Sequence, residues 1–273
     1  MKLSTIVRAT VIGASVSLAL GACTAGPGAT QSGTSSQGAS DMTIGLTYIP
    51  NVQFAPVYVA DSQGLYNDAG VTATVRHHGS DEGLFTALLA GQEDVVIASG
   101  DEAAVAASQG MDLVSIGQYY ATYPGSVIVP ASSSITSLAD LAGKNIGIPG
   151  EYGSSYYATL AAIMAGGLQT SDVTISSIGY TQQAALAAGQ VDAVVGFTNN
   201  DAVQMRLAGI DIREIPLDGA STPLVAASII TTREWAQAHP DAARAVVSAT
   251  TEAMNAIAAD PQVAIDATAK WDT

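Results

Sequence analysis

Residues 88–97 read LLAGQEDVVI, and residues 186–195, which lie 98 positions later, read LAAGQVDAVV. In each copy a helix ends at an Ala-Gly pair, where glycine readily adopts the left-handed conformation that closes a helix. An aspartate then precedes an apolar strand, and each strand opens into a small polar loop, residues 99–101 in the first copy and 198–201 in the second. A match of this length predicts two similar α/β lobes.

Short apolar runs alternate with alanine-rich stretches around these two copies. The runs predict strands at 42–48, 71–77, 95–98, 113–119, 127–130, 145–148, 173–178, 193–197 and 212–216. The stretches between them predict helices at 54–63, 83–90, 102–108, 137–141, 155–164 and 182–188. Strands separated by helices indicate parallel α/β units. Because ligands of such sheets bind beyond the carboxyl ends of the strands, the loops of two facing lobes would line one cleft.

The N-terminus has the plan of a secretory signal peptide. Lys2 and Arg8 give a positive start, and the apolar run at 9–20 is followed by small residues. Such a peptide combines a charged region, an apolar region of about 7–15 residues and a small-residue cleavage site. The run ends in LGAC at 20–23, which resembles a bacterial lipobox, and Cys23 is the only cysteine in the chain. We therefore expect Cys23 to carry a lipid; a plain signal peptide with an incidental cysteine is the alternative.

Residues 1–22 are thus predicted to be a lipoprotein signal peptide, and residues 23–41 a flexible tether. The tether consists almost entirely of small and polar residues, so it cannot bury enough apolar surface to offset the entropy cost of ordering. The chain has a net charge of −15, which disfavours binding to nucleic acid and to anionic lipid surfaces. Attachment to a membrane would therefore depend on the lipid at Cys23.

Four segments resemble one family of binding proteins. They are TYIPNVQFAPVYVA at 47–60, SLADLAGKNIGIPG at 137–150, GEYGSSY at 150–156 and GFTNNDAVQ at 196–204. Together they resemble the periplasmic substrate-binding proteins of ABC importers for thiamine pyrimidines, riboflavin, sulfonates and nitrate, the SsuA/THI5-like family. The resemblance covers residues 42–260, which is nearly the whole predicted folded body.

The resemblance implies an α/β, two-lobed periplasmic-binding-protein fold of type II. Its ligand cleft would lie between two lobes that are joined by two crossover segments. The first lobe would contain residues 42–129 and 224–273, and the second lobe residues 130–223. The crossings are expected near 129–133 and 222–227. Because the family usually continues further along lobe one, the C-terminal part is expected to be truncated or short.

The function implied by the resemblance is that of an extracytoplasmic lipoprotein on the outer face of the cell membrane. It would act as a monomer that binds a small molecule and delivers it to an ABC permease and ATPase, with no cofactor, no metal and no catalytic residue. His77 and His78 fit the absence of a metal site, because adjacent residues on a strand point to opposite faces. A thiamine-pyrimidine-synthase-like enzyme is disfavoured, because such enzymes have a cysteine-rich iron motif. A receptor ectodomain is a further alternative.

Candidate binding residues lie in the loops of the predicted cleft. Tyrosine rings would stack on a planar ligand, and their hydroxyl groups would form hydrogen bonds with it. Amide, hydroxyl and carboxylate side chains would read the donors and acceptors of a heterocycle. The predicted set consists of Tyr48, Asn51, Gln53, Asp101, Tyr119, Tyr123, Glu151, Tyr152, Ser154, Ser155, Asn199 and Asn200.

These loops favour an uncharged or weakly basic nitrogen heterocycle, because lysine and arginine are scarce near them. Riboflavin is the preferred ligand, and a thiamine pyrimidine precursor is the next. A sulfonate or nitrate is the alternative, since Ser154 and Ser155 could present an exposed helix N-terminus to an anion.

Overall fold

The computed structural model describes residues 40–79, 82–217 and 224–271. The predicted signal peptide, Cys23 and most of the predicted tether lie outside these ranges. The first described strand begins at Ser40, so the last two residues of the predicted tether belong to the folded body. All described residues belong to one compact unit.

The secondary structure alternates between strands and helices throughout the described ranges. The strands are β1 (Ser40–Leu46), β2 (Val71–His77), β3 (Val95–Ser99), β4 (Leu113–Gln118), β5 (Gly125–Pro130), β6 (Asn145–Ile148), β7 (Thr174–Ser177), β8 (Ala193–Phe197), β9 (Ile212–Pro216) and β10 (Ala227–Thr232). The helices are α1 (Ala55–Ser62), α2 (Leu65–Asp68), α3 (Thr86–Leu89), α4 (Gly100–Ser108), α5 (Gly153–Ala165), α6 (Gln182–Ala187), α7 (Val203–Leu207), α8 (Arg233–Ala238), α9 (Pro240–Ala259) and α10 (Gln262–Thr268).

The strands form two five-stranded sheets with matching plans. The first sheet has the order β2-β1-β3-β10-β4, and the second has the order β7-β6-β8-β5-β9. In each sheet the first three strands are parallel, and the fourth is antiparallel to both of its neighbours. The prediction of two similar α/β lobes is confirmed. The prediction of purely parallel units is wrong for β10 and β5, and the predicted strands do not include β10.

The chain passes from the first lobe to the second within residues 119–124, earlier than the predicted crossing at 129–133. The reason is that β5 pairs with β8 and β9 of the second sheet, and its Val127 and Val129 lie in the second lobe's core. The return passage lies between β9 and β10. Part of the crossing predicted there, residues 222 and 223, lies outside the described residues.

Each lobe has an apolar core of its own. In the first lobe, Ile44 of β1 packs with Tyr58 of α1 and Val246 of α9. In the second lobe, Ile146 of β6 packs with Ala162 of α5. Because α9 and α10 both pack against α1, the C-terminal segment completes the first lobe. Among the described helices, none has both the length and the apolar character that crossing a membrane requires.

The repeated segment forms the same hydrogen-bonded clip in both lobes. Asp94 precedes β3, and its Oδ2 accepts a hydrogen bond at 2.8 Å from the backbone N–H of Thr43 in β1. Asp192 precedes β8, and its Oδ2 accepts one at 2.8 Å from the N–H of Asn145 in β6. The backbone N–H of each aspartate donates in return to the carbonyl of the same partner. The clip therefore sets the register between the two parallel strands in each lobe.

Removal of either clip should destabilise the protein to a similar extent. We expect Asp94→Ala and Asp192→Ala each to lower the free energy of unfolding by about 1–2 kcal/mol, because a backbone donor loses its carboxylate acceptor. Urea unfolding measures this change. Asp68→Ala, which removes an exposed carboxylate on α2, is the control. Since asparagine keeps an acceptor oxygen, Asp94→Asn should retain most of the stability; a loss equal to that of the alanine variant would contradict the clip.

Candidate ligand-binding cleft

The cleft between the lobes lies where strands of both sheets end. In the first lobe β1 leads directly to Thr47 and Tyr48, and β3 ends at Ser99. In the second lobe β6 leads to Pro149, and β8 ends at Phe197. All five residues line one cavity, which agrees with the rule that ligands of open α/β sheets bind beyond the carboxyl ends of the strands.

This central cavity is small and is lined by both lobes. Its volume is about 70 Å³, whereas ligand pockets usually span about 300–1,000 Å³. Since side chains of the two lobes also bond to each other across it, the cleft is closed in this structure and has room for a few water molecules. The lining residues are Thr47, Tyr48, Gln53, Phe54, Leu84, Ile97, Ala98, Ser99, Glu102, Tyr119, Tyr120, Pro149, Tyr152, Gly153, Ser154, Ser155, Tyr180, Phe197, Asp201 and Ala227.

A second cavity, the rim cavity, adjoins the central one at the edge of the cleft. Its volume is about 310 Å³. The two cavities share Tyr48, Tyr180 and Asp201 in their walls. The rim cavity is lined by Tyr48, Ile49, Pro50, Asn51, Val52, Tyr180, Gln182, Gln183, Asn200, Asp201, Gln204, Met205 and Thr268.

Two side-chain contacts close the cleft directly between the lobes. The Oγ atoms of Ser99 and Ser154 are 2.9 Å apart. On the opposite side, Gln182 Nε2 donates to the hydroxyl oxygen of Tyr48 at 3.2 Å, and the ring of Tyr48 meets that of Tyr180 edge to face at 4.5 Å. Burial raises the pKa of the Tyr48 hydroxyl, so the group stays neutral and can both donate and accept.

A third contact runs through the segment that joins the lobes. The hydroxyl groups of Tyr119 and Tyr120 both donate to the backbone carbonyl of Gln53, at 3.2 and 2.7 Å. The Tyr120 hydroxyl oxygen also accepts from Asn199 Nδ2 of the second lobe at 3.2 Å. The two tyrosines therefore fix the loop after β1 and connect it to the loop after β8.

Two carboxyl groups from different lobes face the central cavity; Glu102 is buried and Asp201 is partly buried. Glu102 belongs to α4, and its Oε2 accepts from the backbone N–H of Ser99 at 2.9 Å. Asp201 lies in a π-helical turn after β8, and its Oδ2 accepts from the N–H of Phe197 at 2.7 Å. Burial raises the pKa of Glu102 to about 7 and that of Asp201 to about 6. The residues that line either cavity include no lysine, arginine or histidine.

Eight of the twelve predicted binding residues lie on a cavity wall, and their role in binding stays a prediction. Those on the central cavity are Tyr48, Gln53, Tyr119, Tyr152, Ser154 and Ser155. Those that reach only the rim cavity are Asn51 and Asn200. The aromatic and amide loops after β1, β6 and β8 therefore meet as the sequence predicts.

Two of the predicted acids do not line either cavity. Asp101 points toward its own helix, where its Oδ1 accepts from the N–H of Glu102 at 2.9 Å. Its Oδ2 is buried and has no hydrogen-bond partner among the described residues. Glu151 is exposed to solvent. Glu102 occupies the position predicted for Asp101, because the third residue of the helix turns back toward the Ser99 cap.

Two further predicted residues, Tyr123 and Asn199, lie behind the cleft wall and bond to residues that form it. Tyr123 is buried against Phe197, with ring centroids 5.8 Å apart, and its hydroxyl donates to the backbone carbonyl of Ser154 at 3.0 Å. Asn199 bonds to Tyr120 and lies outside both lining sets. Neither side chain lines either cavity, because both are used in contacts within the protein.

Several wall residues are absent from the predicted set. Glu102 could have been found from the Ser-x-x-Glu capping pattern that begins at Ser99. Asp201 follows the predicted Asn-Asn loop, and it both caps the turn and lines the cavities. Tyr180 and Gln182 have no local signal, since their place in the wall depends on contacts with Tyr48 of the other lobe.

One side-chain group in the described residues has the spacing of metal ligands, namely His78, Glu82 and Glu93. Arg76 already bonds to the carboxylates of Glu93 and Glu82, at 2.5 and 2.6 Å, and His78 Nε2 lies 2.8 Å from Glu93. His77 points elsewhere, to a backbone carbonyl and a tyrosine hydroxyl. The two histidines therefore point in different directions. The positive charge of Arg76 already compensates the negative charges of Glu82 and Glu93.

Residues 51–264 match the sequence model of the family described as NMT1/THI5 like. The chain belongs to this family. Curated proteins of similar sequence include the riboflavin-binding protein RibY of Chloroflexus aurantiacus, which is 32% identical over 82% of this chain and 64% of that protein. A 4-amino-5-hydroxymethyl-2-methylpyrimidine phosphate synthase of Legionella pneumophila is 24% identical over 61% of this chain and 52% of that enzyme. The chain thus spans less than two thirds of the length of these relatives.

Solved structures share the fold. The periplasmic aliphatic sulphonate binding protein SsuA of Escherichia coli superposes with a TM-score of 0.70, at 20% identity, over 85% of this chain and 78% of that chain. The alkanesulfonate-binding protein SsuA of Xanthomonas axonopodis pv. citri gives a TM-score of 0.68 at 22% identity, over 85% and 79% of the two chains. The NMT1/THI5-like chain described here therefore has the two-lobed periplasmic-binding-protein fold that its sequence predicts.

The buried carboxyl groups predict a stability that falls as the pH rises. The folded pKa values of about 7 and about 6 lie above the ordinary values of 4.5 and 3.8, so the folded protein holds more protons than the unfolded chain between about pH 4 and 7. The contribution of these groups to stability is complete below that window and is lost as the pH rises through the folded pKa. We expect Glu102→Gln to gain about 1–2 kcal/mol relative to the parent between pH 5 and pH 7.

Urea unfolding of the parent and the variant at pH 5, 6 and 7 measures this gain. Glu252→Gln, which neutralises an exposed carboxylate on α9, is the matched control and should follow the parent at every pH. Parallel profiles for Glu102→Gln and the parent would show that Glu102 has an ordinary pKa in the folded protein.

Proposed function

We propose that this protein is the extracytoplasmic solute-binding component of an ABC importer and that it binds riboflavin without chemical change. In this proposal Cys23 carries the lipid that holds the protein at the outer face of the membrane, and a permease with its ATPase receives the ligand. The observation that carries the proposal is the wall of the cleft, in which aromatic rings and buried carboxyl groups from two lobes face each other without a cation. The similarity to RibY supports the choice of ligand.

The chemistry of the wall fits the ring system of a flavin. Tyr48, Tyr120, Tyr152 and Tyr180 provide flat apolar faces with hydroxyl groups at their edges, and such rings stack on planar ligands. A flavin ring carries an N–H donor as well as carbonyl and ring-nitrogen acceptors. Glu102, when ionised or as a neutral acid, can accept from that N–H.

Binding would follow from closure of the two lobes. The direct contacts between the lobes, Ser99 with Ser154 and Gln182 with Tyr48, hold the cleft shut around a volume too small for a flavin. The ligand would therefore enter an open conformation. Contacts to both lobes at once would then stabilise a closed form, so that binding shifts an open–closed equilibrium.

A thiamine-type pyrimidine is the second candidate ligand. The observation that favours it is the volume of the central cavity, about 70 Å³, which is closer to the size of a single ring than of three. An exocyclic amino group could donate to Glu102. A sulfonate or nitrate is disfavoured, because Glu102 and Asp201 would place carboxyl groups against an anion and no lining side chain would compensate the charge.

The riboflavin proposal predicts a specific effect of Tyr152, which lies on the central cavity with 39% of its surface exposed. We expect the protein, freed of retained ligand by unfolding and refolding, to quench riboflavin fluorescence in a saturable way. Tyr152→Ala should weaken binding at least 10-fold, because a stacking face worth about 1–3 kcal/mol is lost, and should leave the urea midpoint nearly unchanged. Tyr157→Ala, on α5 outside both cavities, is the matched control.

Calorimetry on the same samples separates the two candidate ligands. Saturation by riboflavin with no heat from the aminopyrimidine would support the first proposal, and the reverse would support the second. Equal riboflavin affinity in Tyr152→Ala and the parent would show that the ring does not stack in the central cavity.

A further inference from the structure

Three residues, Tyr48, Tyr180 and Asp201, stand in the wall that the central and rim cavities share. Tyr48 stands in the wall of both, and Gln182 Nε2 holds its hydroxyl at 3.2 Å from the other lobe. Tyr180 packs edge to face on the same ring. Because the two partners of Tyr48 belong to the second lobe, an opening of the lobes that separates them from Tyr48 would join the two cavities into one elongated site.

The rim cavity differs from the central cavity in its chemistry. Its polar wall consists mainly of neutral amides, with Asn51 on one lobe and Gln183, Asn200 and Gln204 on the other. Amides offer both donors and acceptors, as hydroxyl groups do. The wall is therefore suited to a chain of hydroxyl groups, each of which also donates and accepts.

One buried polar atom at the rim cavity has no partner. Thr268 lies at the end of α10, and its Oγ1 is buried without a hydrogen bond to any described residue. A buried hydroxyl in this state costs free energy unless a ligand or water completes its bonding. Gln204 lies on the opposite lobe and is exposed at the same cavity, so one bound chain could contact both.

We propose that the rim cavity binds the uncharged, hydroxylated side chain of the flavin while the ring occupies the central cavity, an inference that rests on the proposed function. The rim cavity of about 310 Å³ has room for such a chain, whereas the central cavity would widen around the ring as the contact between Gln182 and Tyr48 opens. Tyr48 would then lie at the junction of ring and chain.

The same wall should reject a phosphorylated chain. Asp201 borders the rim cavity, and no lysine or arginine lines it to pair with a phosphate. Phosphate sites usually use such cations or exposed backbone N–H groups. The site should therefore distinguish riboflavin from flavin mononucleotide, in which the hydroxylated chain ends in a phosphate.

The test is a set of fluorescence titrations of the full chain with riboflavin, lumiflavin and flavin mononucleotide. Lumiflavin has the same ring with a methyl group in place of the hydroxylated chain. We expect riboflavin to bind at least 10-fold more tightly than either of the others. Thr268→Val and Gln204→Ala should each weaken riboflavin binding about 5-fold, as expected for one lost hydrogen bond, and leave lumiflavin binding unchanged.

Gln92→Ala, an exposed glutamine outside both cavities, is the matched control for Gln204→Ala. Equal affinities for riboflavin and lumiflavin would overturn this inference and leave the riboflavin proposal intact. If Thr268→Val and Gln204→Ala weakened the binding of riboflavin and of lumiflavin by the same factor, the inference would be overturned as well, since the substitutions would then act through the fold. Failure of both flavins to bind would refute the proposed function together with the inference.

Discussion

The electrostatic character of the cleft depends on two carboxyl groups, those of Glu102 and Asp201, which lie away from water with no cationic side chain among the lining residues. A carboxylate that leaves water needs compensating bonds, or it becomes protonated. Glu102 accepts hydrogen bonds from the backbone and hydroxyl groups of Ser99 and from Ser154, and Asp201 accepts from backbone N–H groups that include that of Phe197. Burial outweighs these bonds and raises the pKa of both groups. The electrostatic character of the cleft therefore depends on pH: below these pKa values the neutral acids can donate as well as accept a hydrogen bond, and above them the carboxylates only accept and disfavour an anion.

The same backbone bonds give these acids their positions. Glu102 completes the cap of α4, and Asp201 holds the turn that leaves β8. Behind them, Asp94 and Asp192 fix the register of the parallel strands from which the cleft loops emerge. Since each acid is bonded to a backbone atom within a strand or at its end, the sheets determine the geometry of the site. A binding surface made of four loops can in this way be as well defined as the strands themselves.

Much of this arrangement can be predicted from the sequence, because it follows from local patterns. The helix–Gly–Asp–strand segment predicts both lobes, and the strand ends predict which loops meet. The sequence prediction placed Asp101 in the cleft, whereas the structure places Glu102 there. The two neighbouring acids are hard to tell apart in the sequence, because both lie in the first helical turn. Thr268 could not be predicted, because it reaches the rim cavity through the packing of α10 on the first lobe. The position of β5 also depends on partners 60 or more residues away in the chain, which local patterns do not show.

The insertion of β10 between β3 and β4 determines the order in which the molecule can be completed. The second sheet is built from one continuous segment, β5 to β9, whereas the centre of the first sheet stays empty until the chain has been synthesised as far as Thr232. β3 and β4 have no direct pairing to hold them meanwhile. Because pairing between distant segments is slow to form, we expect the first sheet to be completed after the second.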